Sequence, residues 1–308
     1  MNKINNLFLI IITGIVFFLF NFLNSKSNIY QEINEIENES TECTNYRKEC
    51  LDLFKKLRYP NKSLIIRPPV RMPPADLIDR FTQNGDMPIL RQLYYNQVYS
   101  DSNSNVTALK LQISFKEFNE WLFKVKNNQP LNYGDKYFHW IMRKYKNEIK
   151  DKSLVVIGTE EPWIEAIGYV LSASQITTLD YTRKKYQHKR LEWLHVNDYL
   201  DDMINNKIQL EQFDNSASFS SIEHSGLGRY GDPLSPEGDI DAVRQVHCML
   251  KPNGLFFLGL PCSTDDSSYI EFNAHRVYGS KRLNLLFNGW SKKVFKHGNF
   301  VLKKKKIC

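Results

Sequence analysis

The sequence predicts an α/β protein, a doubly wound and mostly parallel sheet preceded by a helical segment and an N-terminal transmembrane helix. Three observations carry this. Ser153 to Gly158 is a short apolar run ending in glycine, and a helical stretch opened by Pro162 follows it. Strand-like and helix-like segments then alternate as far as Pro261, which implies right-handed crossovers and a sheet covered on both faces. At the other end, Leu7 to Leu23 is apolar without a single charge.

That N-terminal run approaches the ~20 residues a helix needs to cross the hydrocarbon core, with its polar flanks at the interface. A removable signal peptide is the competing reading. Its apolar region usually spans about 7–15 residues and ends in a small-x-small site, whereas Asn21-Phe22-Leu23-Asn24-Ser25-Lys26-Ser27 stands here. A retained anchor over residues 1–24 is therefore expected, contacting the lipid bilayer through 7–23. The short leading tail points to a cytosolic N-terminus and a body lumenal to the endoplasmic reticulum or Golgi. Acceptor triplets for N-glycosylation at Asn38, Asn61 and Asn105 agree with that side. The Lys305-Lys306-Ile307-Cys308 ending, a dilysine retrieval pattern, would be idle there and reads as a solvated basic tail.

Residues 25–59 carry spaced acids and read as a stem, with helical spacing over Cys50 to Leu57. Cys43 with Cys50 is the expected disulfide, and Cys248 the expected buried free thiol. The prolines of Arg67 to Pro74 impose an extended strap. From there to residue 150 the periodicity predicts helices over Ala75–Phe81, Ile89–Val98, Phe115–Val125 and Tyr137–Ile149, a helical accessory region spanning 60–150. Residues 151–308 form the α/β domain. Its strands are expected at Ser153–Gly158, Gln175–Asp180, Leu191–Val196, Phe213–Ser221 and Gly254–Pro261, with helices at Pro162–Ala173 and Ile240–Leu250.

Ligands of such sheets bind at the C-terminal strand ends. The first turn reads Gly158-Thr159-Glu160-Glu161-Pro162-Trp163, with one glycine and two carboxylates. A pyrophosphate would be repelled there, which argues against NAD or FAD, while a cationic sulfonium or amino group would tolerate Glu160 and Glu161. The alternative is that both acids only complement the helix dipole. Asp180 ends the second strand, where an acid accepts from ribose hydroxyls. Leaving the fourth strand, Ser220 to Pro233 gathers Ser221, Glu223, His224, Arg229, Tyr230 and Asp232 among three glycines, enough for a base, an acid and an anion clamp. After the fifth, Asn273 to Gly279 brings His275 toward the same edge. No His or Cys spacing suits zinc. Of the +7 net charge, the four lysines Lys303–Lys306 supply more than half, so no nucleic-acid partner is expected.

The blocks Val155–Trp163, Thr177–Tyr181, Ser220–Pro233, Leu250–Pro261 and Asn273–Gly279 resemble a nematode-expanded family of unknown function, domain of unknown function 268, over roughly residues 60 to 300. That family is similar to class I S-adenosylmethionine-dependent methyltransferases, whose fold is Rossmann-like. The resemblance implies that Gly158 and Asp180 contact the methionine portion and the ribose of S-adenosylmethionine, and that Glu223-His224 corresponds to a Leu-Glu-His following their fourth strand. The second and third glycines of their cofactor loop are missing here. The expectation is methyl transfer to a small-molecule, glycan or protein acceptor, with His224 or His275 as base and Tyr230 or Arg229 positioning the acceptor. Loss of the cofactor would leave a binding protein of the same fold. A glycosyltransferase is the third reading, through Asp239-Ile240-Asp241, although that pair also suits a helix cap.

Overall fold

The computed structural model describes residues 42–58, 70–92, 112–131, 135–181, 185–230, 232–295 and 298–305. Residues 49–306 form one compact unit, and residues 1–48 with 307–308 belong to a second, of which only 42–48 are described. The apolar run 7–23 and the acceptors Asn38, Asn61 and Asn105 lie outside the described residues. Among the described residues no helix is long and apolar enough to cross a membrane.

The unit is a mixed α/β, Rossmann-like fold around a seven-stranded sheet. Its strands are β3 (Ser153–Ile157), β4 (Gln175–Asp180), β6 (Leu191–His195), β7 (Phe213–Phe219), β8 (Leu250–Gly259), β11 (Trp290–Val294) and β12 (Asn299–Lys304), in the order β11-β12-β8-β7-β3-β4-β6. β6, β4, β3, β7 and β8 run parallel, while β12 lies antiparallel to both β8 and β11. The order reverses at β3, so the edge where β3 and β7 end is the topological switch point.

Alternation along the strands separates two cores. Leu154, Val156, Ile176, Ala217, Leu255, Phe257 and Val301 share one face with α3 (Phe115–Lys126), α4 (Asp135–Lys144), α5 (Lys146–Ile149) and α6 (Trp163–Val170). On the other face, ring contacts of Trp290 with His247 and of Phe300 with Phe287 bring in α8 (Gly238–Met249) and the end of α9 (Ser280–Leu286). α3 starts with a full capping box, Ser114 and Glu117 satisfying each other's backbone amides, which fixes its entry beside the sheet.

Several expectations are corrected. Ile89–Gln92 is not helical but a strand, β1, pairing in parallel with β9 (Tyr269–Phe272), which turns back on β10 (His275–Val277). The burial of Met87, Ile270 and Phe272 with Phe81 and Leu227 in a second cluster outweighs the local helical period. A further short strand, β2 (Gln112–Ile113), pairs with β5 (Lys185–Tyr186). Pro162 caps α6 rather than entering it.

Cys50 is bonded to Cys248 and not to Cys43, which is itself disulfide-bonded. The helix over 42–57, α1, buries Cys50, Leu53 and Phe54 on one stripe, so Cys50 meets the residue of α8 that sequence spacing assigned as a free thiol. Of the basic ending Lys305–Cys308, Lys305 is exposed and residues 306–308 lie outside the described residues. Lys304 lies on β12, fully buried, its Nζ donating to Glu211 Oε1 at 2.7 Å and to the Leu250 carbonyl at 2.6 Å.

Candidate functional site

The switch-point edge is built from backbone first. Gly158 adopts φ +64° and donates its N–H to the Leu179 carbonyl at 3.0 Å. An added Cβ would stand 2.1 Å from Ser221 Oγ, so only glycine lets the end of β7 close over the tip of β3. One residue on, the Thr159 amide donates to Asp180 Oδ2 at 3.0 Å. Gly158, Asp180 and Ser221 are therefore immediate neighbours. Glu160 and Glu161 are exposed beside them, at the entrance to α6.

Four residues that sequence reasoning passed over, His195, Asn197, Tyr181 and Trp193, join this edge. Asp180 pairs in register with His195, whose Nδ1 accepts the Asn197 amide at 3.2 Å at the start of α7 (Val196–Ile204). The rings of Tyr181 and Trp193 both flank His195, at 6.1 and 5.9 Å. Asn197 is 2% exposed, yet neither its Oδ1 nor its Nδ2 has a hydrogen-bond partner. A buried carboxamide with both ends unsatisfied costs on the order of 1–3 kcal/mol per group. The signal was its place, two residues beyond a strand end; without α7 in view, nothing separated it from a loop residue. Below Asp180, Glu165 of α6 is fully buried and accepts from the Thr178 and Tyr186 hydroxyls at 2.7 and 3.2 Å.

Past Ser221, a short 3-10 turn, Ile222–His224, carries the next groups. Glu223 is 2% exposed with Oε2 unsatisfied, and burial raises its carboxyl to about 7. His224 is held to the Ala274 carbonyl by Nδ1 at 2.5 Å, and burial lowers it to about 3. Since a carbonyl only accepts, Nδ1 carries the proton and Nε2, 3.8 Å from Glu223 Oε1, is left as the basic nitrogen. The rings of Tyr230 and His275 lie 5.5 and 6.2 Å from His224, and Arg229 stacks over Tyr230 at 5.1 Å. Burial also lowers His275, which faces Glu271 at 3.7 Å. Glu223, His224, Arg229, Tyr230 and His275 are thus gathered in one cluster. The free thiol of Cys262 sits close enough to Glu223 to feel its charge, and burial pushes it up to about 11.

Asp232 has a structural task instead of the acid, base or clamp role its position suggested. It accepts the amides of Gly226, Gly228 and Tyr230 at 2.7, 3.1 and 3.2 Å, holding the glycine loop from within. From outside, fully buried Arg276 donates to the carbonyls of Ser225 at 2.6 Å and Ser235 at 3.1 Å. Asp239 is neither a metal-binding acid nor a cap: α8 opens on Glu237 without a side-chain cap, and the Asp239 carboxylate is buried against Arg282, Arg276 and the Tyr278 hydroxyl. Its neighbour Asp241 is taken by Lys56 at 2.5 Å. Among the described residues no group of three His, Cys, Asp or Glu side chains is gathered as a metal site would require.

Residues 151–297 match the family described as Caenorhabditis protein of unknown function, DUF268. The matched segment runs from β3 to just past β11 and contains the Gly158–Asp180 edge and the Glu223–His224 cluster. Among solved structures, similarity extends to the Burkholderia thailandensis 1,6-didemethyltoxoflavin-N1-methyltransferase with bound 1,6-didemethyltoxoflavin and S-adenosylhomocysteine (11% identity, 67% of this chain and 94% of that one, TM-score 0.42). It extends also to the N-methyltransferase NodS from Bradyrhizobium japonicum WM9 in complex with S-adenosylhomocysteine (13%, 60% and 95%, 0.34). An S-adenosylmethionine-dependent methyltransferase from Mesorhizobium loti is matched at 12%, 54% and 96%, with a TM-score of 0.35. No curated protein matches the chain. Likeness at this level says nothing of the reaction.

Proposed function

We propose that the chain binds S-adenosylmethionine at the β3–β4 edge and transfers its methyl group to an acceptor held over the Glu223–His224 cluster. The observation that supports this reading best is the unsatisfied carboxamide of Asn197, two residues past His195, the register partner of Asp180. An adenine edge offers an amino donor next to a ring-nitrogen acceptor, which a carboxamide matches with both of its groups. Asp180 would take the ribose hydroxyls, Tyr181 and His195 would flank the base, and the exposed Glu160 and Glu161 would face the cationic end of the cofactor.

In this reading the residues mainly align and desolvate. The cofactor supplies the electrophilic methyl group, and holding the nucleophile in line with it is worth on the order of 7–11 kcal/mol at good geometry. Glu223 is better matched than His224 to receive the acceptor's proton, because a group titrating near 7 is half-charged at neutral pH whereas one near 3 is a weak base. His224, neutral and fixed on Ala274, would orient Glu223 and the acceptor, with Arg229 and Tyr230 at the rim.

The same proposal keeps residues 7–23 as a membrane anchor with the body on the oxidising side. The Cys50–Cys248 disulfide supports that side, since such bonds persist in oxidising compartments. Calorimetric titration of the full chain with S-adenosylmethionine and S-adenosylhomocysteine tests the binding step. Saturable binding of both is expected; no heat at millimolar ligand would leave a binding protein that retains the fold without the cofactor.

A further inference from the structure

The last strand of the sheet carries a surface that the methyl-transfer reading does not use. On α4, Lys136, Trp140 and Lys144 recur every fourth residue and share one exposed face, Trp140 being 52% exposed. The opposite face of α4 is anchored, Phe138 meeting Phe219 and Trp163 at 5.2 and 5.8 Å, so the helix presents these three side chains on a rigid support. Trp140 meets Phe295, just past β11, edge to face at 6.1 Å. Lys144 Nζ lies 5.0 Å from the Trp140 ring and 5.8 Å from Phe295, and Lys293 Nζ lies 5.9 Å from Phe295. Among the described residues no carboxylate is paired with Lys144 or Lys293. Two aromatic rings are therefore bracketed by ammonium groups that pair with no carboxylate among the described residues.

The place of this patch matters. Phe219 pairs with Gly259, Gly259 with Asn299, and the Asn299 carbonyl accepts the Phe295 amide. Phe295 thus stands on the same strand-end edge as Gly158, about four strand spacings of ~4.8 Å away. A chain-like molecule lying on the patch would point along the edge toward the Glu223 cluster.

We infer that the Trp140–Phe295 surface, with Lys144 and Lys293, binds an acidic glycan. Exposed aromatic faces stack against the apolar faces of sugar rings, and the flanking ammonium groups match sulfate or carboxylate substituents. Charge complementarity alone would also admit nucleic acid or an anionic bilayer. The Cys50–Cys248 disulfide favours the oxidising side proposed above, on which this choice of occupant rests, a side away from nucleic acid and from the anionic cytoplasmic leaflet. Binding there does not require the methyl-transfer reading, and titration with S-adenosylmethionine reads that one separately.

The test is calorimetric titration of the full chain with a heparin-derived sulfated octasaccharide, beside phosphatidylserine-containing vesicles. Saturable octasaccharide binding is expected, weakening as salt rises because counterions are released. Lys144→Gln with Lys293→Gln should weaken it at least tenfold, and Trp140→Ala severalfold. The control pair Lys185→Gln and Lys189→Gln removes equal charge near the opposite edge of the sheet and should change affinity less than twofold. Equal losses in both lysine pairs, no octasaccharide binding, or vesicle binding abolished by the same patch variants would each overturn the inference.

Discussion

Gly158 has two independent reasons to be glycine, a left-handed φ and the Ser221 hydroxyl where a Cβ would go. Gly158→Ala should therefore cost about 2–4 kcal/mol of stability in denaturant unfolding, through strain plus overpacking. Asn197 behaves oppositely. Removing an amide that has no partner relieves desolvation, so Asn197→Ala should leave the ligand-free protein as stable or more so while weakening S-adenosylhomocysteine binding at least fivefold. A purely structural Asn197 would show the reverse pattern in both measurements. Glu223 gives a pH test. Its carboxyl is raised from 4.5 to about 7, so its folded form holds a proton that the unfolded chain releases earlier. The stability this contributes is present below about pH 4.5 and lost as pH rises through about 7, a difference on the order of 3 kcal/mol. Glu223→Gln should flatten the fall between pH 5 and 8, read by chemical denaturation at each pH; an unchanged slope would show that the carboxylate is already charged when folded.

At the level of elements, β3, β4 and β8 were legible as short apolar runs bounded by glycine, proline or an acid, β6 and β7 were legible from the strand–helix alternation despite their polar residues, and a parallel sheet followed from the helices between them. β1 was not. Ile89-Leu90-Arg91-Gln92 fits a helical period as well as a strand, and what decides it is β9, 181 positions later, whose Ile270 pairs with Ile89. The same distance hides Cys50 from Cys248, 198 positions apart, whereas Cys43 looks near. In the candidate site, the side chains on the Ser220–Pro233 loop were found because titratable residues crowd among glycines. The division of labour among them was hidden, since Asp232 and Glu223 are both buried acids of the loop and only the backbone amides that Asp232 accepts set it apart. The α1–α8 disulfide closes a long loop, so Cys50→Ala with Cys248→Ala should lower stability by about 2–5 kcal/mol. The C-terminal half of α1 should then exchange its amides sooner in hydrogen exchange, since Leu53, Phe54 and the Lys56–Asp241 and Arg58–Asp201 pairs are what still hold it to the sheet unit.

For the molecule as a whole, the proposed design is a body tethered by residues 7–23, stapled by a disulfide suited to an oxidising compartment, with its strand-end edge carrying two neighbouring sites. If that placement is right, the expressed protein shifts in mobility on endoglycosidase treatment through one or more of Asn38, Asn61 and Asn105; no shift speaks against a lumenal body. At the edge itself, Asp180, bonded to the amide that follows Gly158 and paired in register with His195, is proposed to receive an adenosyl group. This central proposal is tested most directly by titrating S-adenosylhomocysteine into the full chain and into its Asp180→Ala variant. The account predicts saturable binding to the first and at least tenfold weaker binding to the second, about 1.4 kcal/mol or more; equal affinity in the two, or none in either, would contradict it.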